Sequence, residues 1–351
     1  MKAAVWYDKE DIRVIEVEEP RVEKGKVKIA VEWCGICGSD LHEYASGPMT
    51  IPVKEPHPLT GQVAPVILGH EFSGRVVETG DDVTHVKEGD RVVVEPILRC
   101  GKCYPCRRGY YNLCEKRGFH GITSDGGGFA QYTVVPAHLV YPLPDEVSFE
   151  AGAIVEPAAV ALYAVRKSSL KPGDTCAVFG AGPIGLLIIQ AAKAAGARAI
   201  IAVEISEQRL AKAMEMGATH LVNPKKEDPV NTIRKITHHG ADVSFEAAGA
   251  EQSFIQSIQC LKADGEMILV SLWAHPITFH PNLLVLEERT VRSTAAFRNI
   301  MPEVMALMAN GQIKAESLIT KKIGLDHIVE EGFQTLLADK SHSKILVSPK
   351  G

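Results

Sequence analysis

The sequence predicts an α/β chain built in two styles: a small, mostly antiparallel β-barrel or sandwich, and a doubly wound parallel sheet. Three observations predict it. Up to about Pro144, short runs rich in β-branched and aromatic residues are separated by Gly, Pro and Asp. From Thr175 onward, apolar strand-like runs alternate with helical ones, the pattern of a parallel sheet with right-handed crossovers. The first of those strands leads directly into Gly180-Ala181-Gly182-Pro183-Ile184-Gly185, which opens a helix.

In the first region, strands are expected near the start of the chain and over 27–32, 74–79, 91–95 and 129–135. The stretch 51–65, with Pro52, Pro56, Pro58 and Pro65, reads as a surface loop. Helical periodicity begins near Ser148, and an alanine-rich helix over 149–167 ends before Lys171-Pro172-Gly173. Then follow a strand over 175–179, a helix over 183–195, a strand over 198–203, and a helix over 207–216 closed by Gly217. Strands over 220–222, 242–246 and 266–271 continue the sheet, and 266–271 is expected at its edge, placed to pair across a two-fold axis. A helix near 302–310 and a strand over 344–347 close the pattern.

At 351 residues the chain has room for two cores, and 46% hydrophobic with 23% charged residues is an ordinary globular balance. A net charge of -5 argues against a surface for nucleic acid or another polyanion. No apolar run is long enough for a membrane span, and the start, Met1-Lys2-Ala3-Ala4-Val5-Trp6, lacks the apolar core of a signal peptide. A cytoplasmic protein is expected, in which eight cysteines serve metal rather than disulfides.

The glycine motif gains weight from its context. The first glycine permits the tight turn, the second lets backbone approach a pyrophosphate, and the third lets helix and strand pack closely. The helix N-terminus turns free N–H groups toward phosphate, and Pro183 suits the first helical turn. Glu204, ending the next strand, is placed to accept the adenosine ribose hydroxyls and to repel a 2′-phosphate, which favours NAD over NADP. Arg209 is a candidate phosphate partner, although an ordinary helix-surface arginine is the plainer reading.

Two groups of residues read as metal sites. Cys100, Cys103, Cys106 and Cys114 form C-x2-C-x2-C-x7-C, which fits a closed tetrahedral zinc that staples a loop; an iron–sulfur cluster or a redox-active set are the rivals. Cys37, His70, Glu71 and Glu156 are the donor types of a zinc that keeps a position open for chemistry. Against this, Cys34 and Cys37 could be a redox pair, a lone His70 is often a structural histidine, and Glu156 alone is an acid near a helix start.

With these motifs in order, 34–42, 69–74, the four-cysteine loop, and Gly180–Gly185 with Glu204, the chain resembles the zinc-dependent medium-chain alcohol dehydrogenases over essentially its whole length. It looks most like their butanediol and sorbitol dehydrogenase branch, because Glu156 stands where simpler members place a second cysteine ligand, and because of the loop 55–70. The resemblance implies a GroES-like catalytic domain from residues 1–153 and 299–351, with a Rossmann NAD-binding domain over 154–298 between them. It implies a catalytic zinc on Cys37 and His70, with Glu71 and Glu156 sharing the remaining contacts, and a structural zinc on the four cysteines. Ser39 and His42 match the family's proton relay, with a turn residue and a surface histidine as the plainer readings, and Arg298 stands where relatives place an arginine near cofactor or substrate. The activity so implied is NAD-linked oxidation of a vicinal diol, 2,3-butanediol to acetoin, and the reverse reduction of acetoin or diacetyl. A sorbitol, other polyol or threonine substrate is the alternative within the family, and a non-catalytic dinucleotide sensor the alternative outside it. Family members are dimers or tetramers, so a homo-oligomer is expected.

Overall fold

The computed structural model describes residues 1–273 and 275–350. They form two compact units: Met1–Glu156 with Met301–Ala309 and Ile319–Gly351, and Pro157–Ile300 with Asn310–Leu318. Among the described residues no helix is long and apolar enough to cross a membrane.

In chain order the strands are β1 (Lys2–Asp8), β2 (Asp11–Glu16), β3 (Lys26–Gly35), β4 (Val66–Ile67), β5 (Glu71–Thr79), β6 (Arg91–Val94), β7 (Ile97–Leu98), β8 (Gly118–Phe119), β9 (Tyr132–Pro136) and β10 (Val140–Pro142). The parallel set follows: β11 (Thr175–Phe179), β12 (Ala199–Val203), β13 (His220–Val222), β14 (Ala241–Glu246), β15 (Leu261–Leu269) and β16 (Thr290–Ser293). Two late strands, β17 (Ile319–Gly324) and β18 (Lys344–Ser348), return to the first unit.

The first unit is β-rich. Its main sheet runs β10-β6-β5-β3-β18-β17, with β9 also paired to β3, beside a three-stranded β2-β1-β4 sheet and the β7-β8 pair. The pairings are antiparallel except β17 with β18. Trp6, Phe72, Phe129 and Phe333 fill its core. Register matters to the site. Gly35 on β3 faces Glu71 on β5, and Leu346 on β18 faces Gly35, so three segments distant in sequence converge there.

The second unit is a six-stranded sheet in the order β13-β12-β11-β14-β15-β16, parallel throughout. β11 is buried at every position, as a central strand covered by helices on both faces must be. The order reverses between β11 and β14, and ligands bind at such a switch point, outside the carboxyl ends of the strands.

Two expectations are corrected, and three elements lie outside those expected. The strand expected over 266–271 begins at Leu261 and lies inside the sheet, while β16 forms the edge. β16 escaped the pattern because Thr290-Val291-Arg292-Ser293 carries no apolar run. The helix expected over 149–167 is two helices, Phe149–Gly152 and Val155–Lys167. Pro157 has no N–H for a carbonyl four residues back, so it is tolerated only in the first turn of a helix that restarts. Helices Pro229–Thr237 and Glu251–Gln259 fill the crossovers before and after β14.

Candidate active site

The helix Gly38–Ser46 starts immediately after Cys37, which caps it. Asp40, in its first turn, reaches back so that Oδ2 accepts the Cys37 backbone N–H at 2.9 Å. Its other oxygen, Oδ1, lies 3.4 Å from His70 Nδ1. That is ion-pair range, but neither atom makes a directed hydrogen bond among the described residues. One wholly buried carboxylate therefore holds the backbone of one candidate ligand and faces the ring of another. Because Nδ1 is turned to Asp40, Nε2 is the His70 nitrogen left for a metal. Ser39 Oγ lies 3.2 Å from that Nε2.

Ligand atoms of Cys37, His70 and Glu71 all lie within 4.8 Å of one another. Glu71 is fully buried, and its Oε2 accepts from Lys344 Nζ at 2.6 Å, while Oε1 has no hydrogen-bond partner among the described residues. Burial and then Glu71 push the Cys37 thiol up. For His70, burial opposes the charged form, but Asp40 and Cys37 outweigh it and hold the imidazole well above its ordinary range. Burial lifts Glu156 to about 7, with His70 pulling it down and Glu71 pushing it up. Thiol, imidazole and carboxylates crowded together and largely buried, with a carboxylate oxygen lacking a partner among the described residues, are the donor set a zinc ion stabilises. Glu156 is buried and electrostatically joined to this group but stands outside the 4.8 Å cluster.

His42 is exposed, one turn along the helix from half-buried Ser39. Cys34 points instead into the apolar core, where burial raises its thiol strongly. Both thiols are free of a disulfide, and of the two it is Cys37 that joins the ligand cluster. Asp40 and Lys344 were not singled out in the sequence. Asp40 carried only the signal of an acid in a helix first turn, and Lys344 only that of a charge opening an apolar strand.

The four cysteines of the loop also gather, with ligand atoms within 4.8 Å of one another. Cys103 Sγ and Cys114 Sγ are 3.9 Å apart, close to the edge of about 3.8 Å for a tetrahedron of ~2.3 Å zinc–sulfur bonds. Backbone N–H groups of Lys102 and Cys103 draw Cys100 down to about 6, whereas burial and the neighbouring thiols lift Cys106 to about 12.

In the second unit, Gly180 follows β11 with φ +95, and a side chain on it would meet the backbone of Ala247 and Ala248. One on Gly185 would overlap the Gly180 carbonyl. Over Gly182, the N-cap of helix Pro183–Ala194, a side chain would meet nothing within 4 Å. Two glycines are thus needed for packing, and the middle one opens a cradle that fits a pyrophosphate. Glu204 is buried, with Oε2 accepting Ala181 N–H at 2.9 Å and Oε1 accepting Ile205 and Ser206 N–H at 2.8 and 3.0 Å. Arg209 lies in helix Glu207–Met216 after the Ser206 cap, and the Arg298 guanidinium sits 5.6 Å from the Tyr163 ring centre.

Residues 23–145 match the family described as alcohol dehydrogenase GroES-like domain, and residues 183–310 that described as zinc-binding dehydrogenase. The chain is 53% identical over 349 residues to a (R,R)-butanediol dehydrogenase of Bacillus subtilis (strain 168), covering 99% of this chain and 100% of that one. It is 33% identical over 351 residues to a sorbitol dehydrogenase of the same organism, covering 99% and 97%. The crystal structure of 2R,3R-butanediol dehydrogenase from Bacillus subtilis superposes with a TM-score of 0.95 at 53% identity, covering 99% of each chain. The chain belongs to the zinc-dependent medium-chain alcohol dehydrogenases, with the GroES-like and zinc-binding dehydrogenase segments in that order.

Proposed function

We propose that the protein oxidises (R,R)-2,3-butanediol to acetoin with NAD, and reduces acetoin or diacetyl in reverse. The observation that carries this reading is the Cys37–His70–Glu71 cluster, in one chain with an open glycine cradle and a buried Glu204. Its relatives named (R,R)-butanediol dehydrogenase support the choice of substrate.

Cys37 Sγ, His70 Nε2 and one of Glu71 or Glu156 would hold the catalytic zinc, and Cys100, Cys103, Cys106 and Cys114 the structural one. When bound, zinc supplies Lewis acidity to the carbinol oxygen and NAD accepts the hydride. Ser39 Oγ would take up the hydroxyl proton, and the exposed His42 imidazole, one turn along the same helix, would release it to water. Whichever of Glu71 and Glu156 is not a zinc ligand would accept the second hydroxyl of the diol. The first unit carries this chemistry. The second binds NAD through Gly180, Gly182, Pro183, Ile184 and Gly185, with Glu204 on the adenosine ribose, Arg209 near phosphate, and Arg298 toward cofactor or substrate. The edge strand β16, with Leu272, Val285 and Leu286 exposed nearby in sequence, suits pairing between copies in a homodimer or homotetramer. We place the protein in the cytoplasm.

The test is turnover of 2,3-butanediol stereoisomers, sorbitol and threonine with NAD and NADP, alongside zinc content before and after chelation. The (R,R) diol with NAD should be preferred, with about two zincs per chain. Much faster sorbitol or threonine turnover would defeat the substrate assignment.

A further inference from the structure

Glu246 ends β14, beside β11, at the point where the strand order reverses. Its side chain is wholly buried. Oε1 accepts from Ala248 N at 3.0 Å, Gly249 N at 2.9 Å and Ser253 Oγ at 2.7 Å, and Oε2 accepts from Ser271 Oγ. Its backbone carbonyl accepts from Val270 N and Ser271 N at 3.0 and 3.3 Å. One residue thus ties together the loop after β14, the start of helix Glu251–Gln259 and the exit of β15. All three lie at the carboxyl ends of the parallel strands, where a dinucleotide binds.

Ala248 N–H and Gly249 N–H, both on Oε1, can only donate, so the loop needs an acceptor at this point, whereas the two serine hydroxyls can donate or accept. A side chain without that acceptor would leave buried N–H groups unpaired. The loop it fixes is pressed against the glycine motif: Ala247 N donates to Phe179 O at 2.9 Å, and the backbone of Ala247 and Ala248 closes on Gly180.

A sheet of this order consists of two mononucleotide-binding halves. β11 to β13, with the glycine motif and Glu204, form the adenosine half, and β14 to β16 the nicotinamide half. We infer that Glu246 is a positioning residue for the nicotinamide half of the cofactor, holding residues 247–249 and Ser271 in the shape that receives it. This rests on the NAD reading above.

The test is binding to the zinc-loaded full chain, with NADH followed by fluorescence and AMP by competition. Glu246→Leu, which removes the acceptor and leaves Ala248 and Gly249 N–H unpaired, should weaken NADH about tenfold or more. AMP, which reports the adenosine half alone, should change less than about twofold. Ser271→Ala removes one contact without burying a new group, so it tests the same point should Glu246→Leu fold poorly; NADH should weaken about threefold with AMP unchanged. Equal weakening of NADH and AMP, or no weakening of either, would overturn the inference. A wild-type chain that bound AMP but not NADH would overturn the NAD reading itself, and this inference with it.

Discussion

Lys344 Nζ lies 2.6 Å from Glu71 Oε2, with the two side chains 2% and 0% exposed, and the same ammonium donates to the Ile36 carbonyl at 3.0 Å. The pair leaves Glu71 Oε1 as the oxygen turned away from protein donors. Removing the lysine strands a charge in a dry core. Lys344→Met should cost about 3–5 kcal/mol in metal-free protein, measured by urea unfolding. Zinc should restore part of that loss by giving Glu71 another cation. Equal stability of wild type and variant in chelator would refute the coupling.

The proton route makes a separable claim. Ser39→Ala should lower kcat by about a hundredfold or more, with zinc content unchanged. His42→Ala should lose less, and added imidazole should recover activity because the site of His42 is open to solvent. If zinc falls in step with kcat in Ser39→Ala, the hydroxyl is holding His70 rather than moving a proton.

The ribose role proposed for Glu204 is testable through the choice of coenzyme. Glu204→Ser removes the charge that would meet a 2′-phosphate, so the NADP-to-NAD ratio of kcat/KM should rise by at least about tenfold. An unchanged ratio would leave Glu204 as a brace for Ala181 N–H and nothing more.

His120 gives a pH dependence of known sign. Burial drives its imidazole down to about 3, helped by the charge of His70, between Thr133 Oγ1 at 2.7 Å and Ser124 Oγ at 3.2 Å. A depressed histidine is neutral when folded and takes up a proton on unfolding. Its contribution is complete above the unfolded value near 6.5 and is lost as pH falls toward 3. Between pH 7.5 and 5 the wild type should lose about 2 kcal/mol more than His120→Gln by urea unfolding. Parallel pH profiles would show that His120 protonates without opening the fold.

What the sequence made legible was whatever is local. The four-cysteine loop, the glycine motif and Glu204 declare themselves within a few tens of residues, because the chemistry fixes their spacing. The parallel sheet was legible because the hydrophobic period changes after Thr175. Helix Pro229–Thr237 is hard to read in the sequence although Asp228 caps it and Pro229 opens it, since few of its side chains are buried to mark a face. The edge strand β16 was illegible for the same reason, its positions being largely exposed. Lys344 could not be linked to Glu71 by any motif; only the pairing of β18 with β3 brings them together. The choice between Glu71 and Glu156 was equally closed to sequence, because both are carboxylates at positions the motifs allow.

The ion pair between Lys344 and Glu71 spans 273 positions of the chain. During synthesis Glu71 leaves the ribosome long before its counter-ion is translated, as do Cys37 and His70. The nascent first unit must therefore wait for the partner of its buried Glu71 until the whole second unit has been made. A ribosome stalled before Lys344 would carry a chain whose parallel sheet is fully synthesised while Glu71 still lacks the lysine that pairs with it.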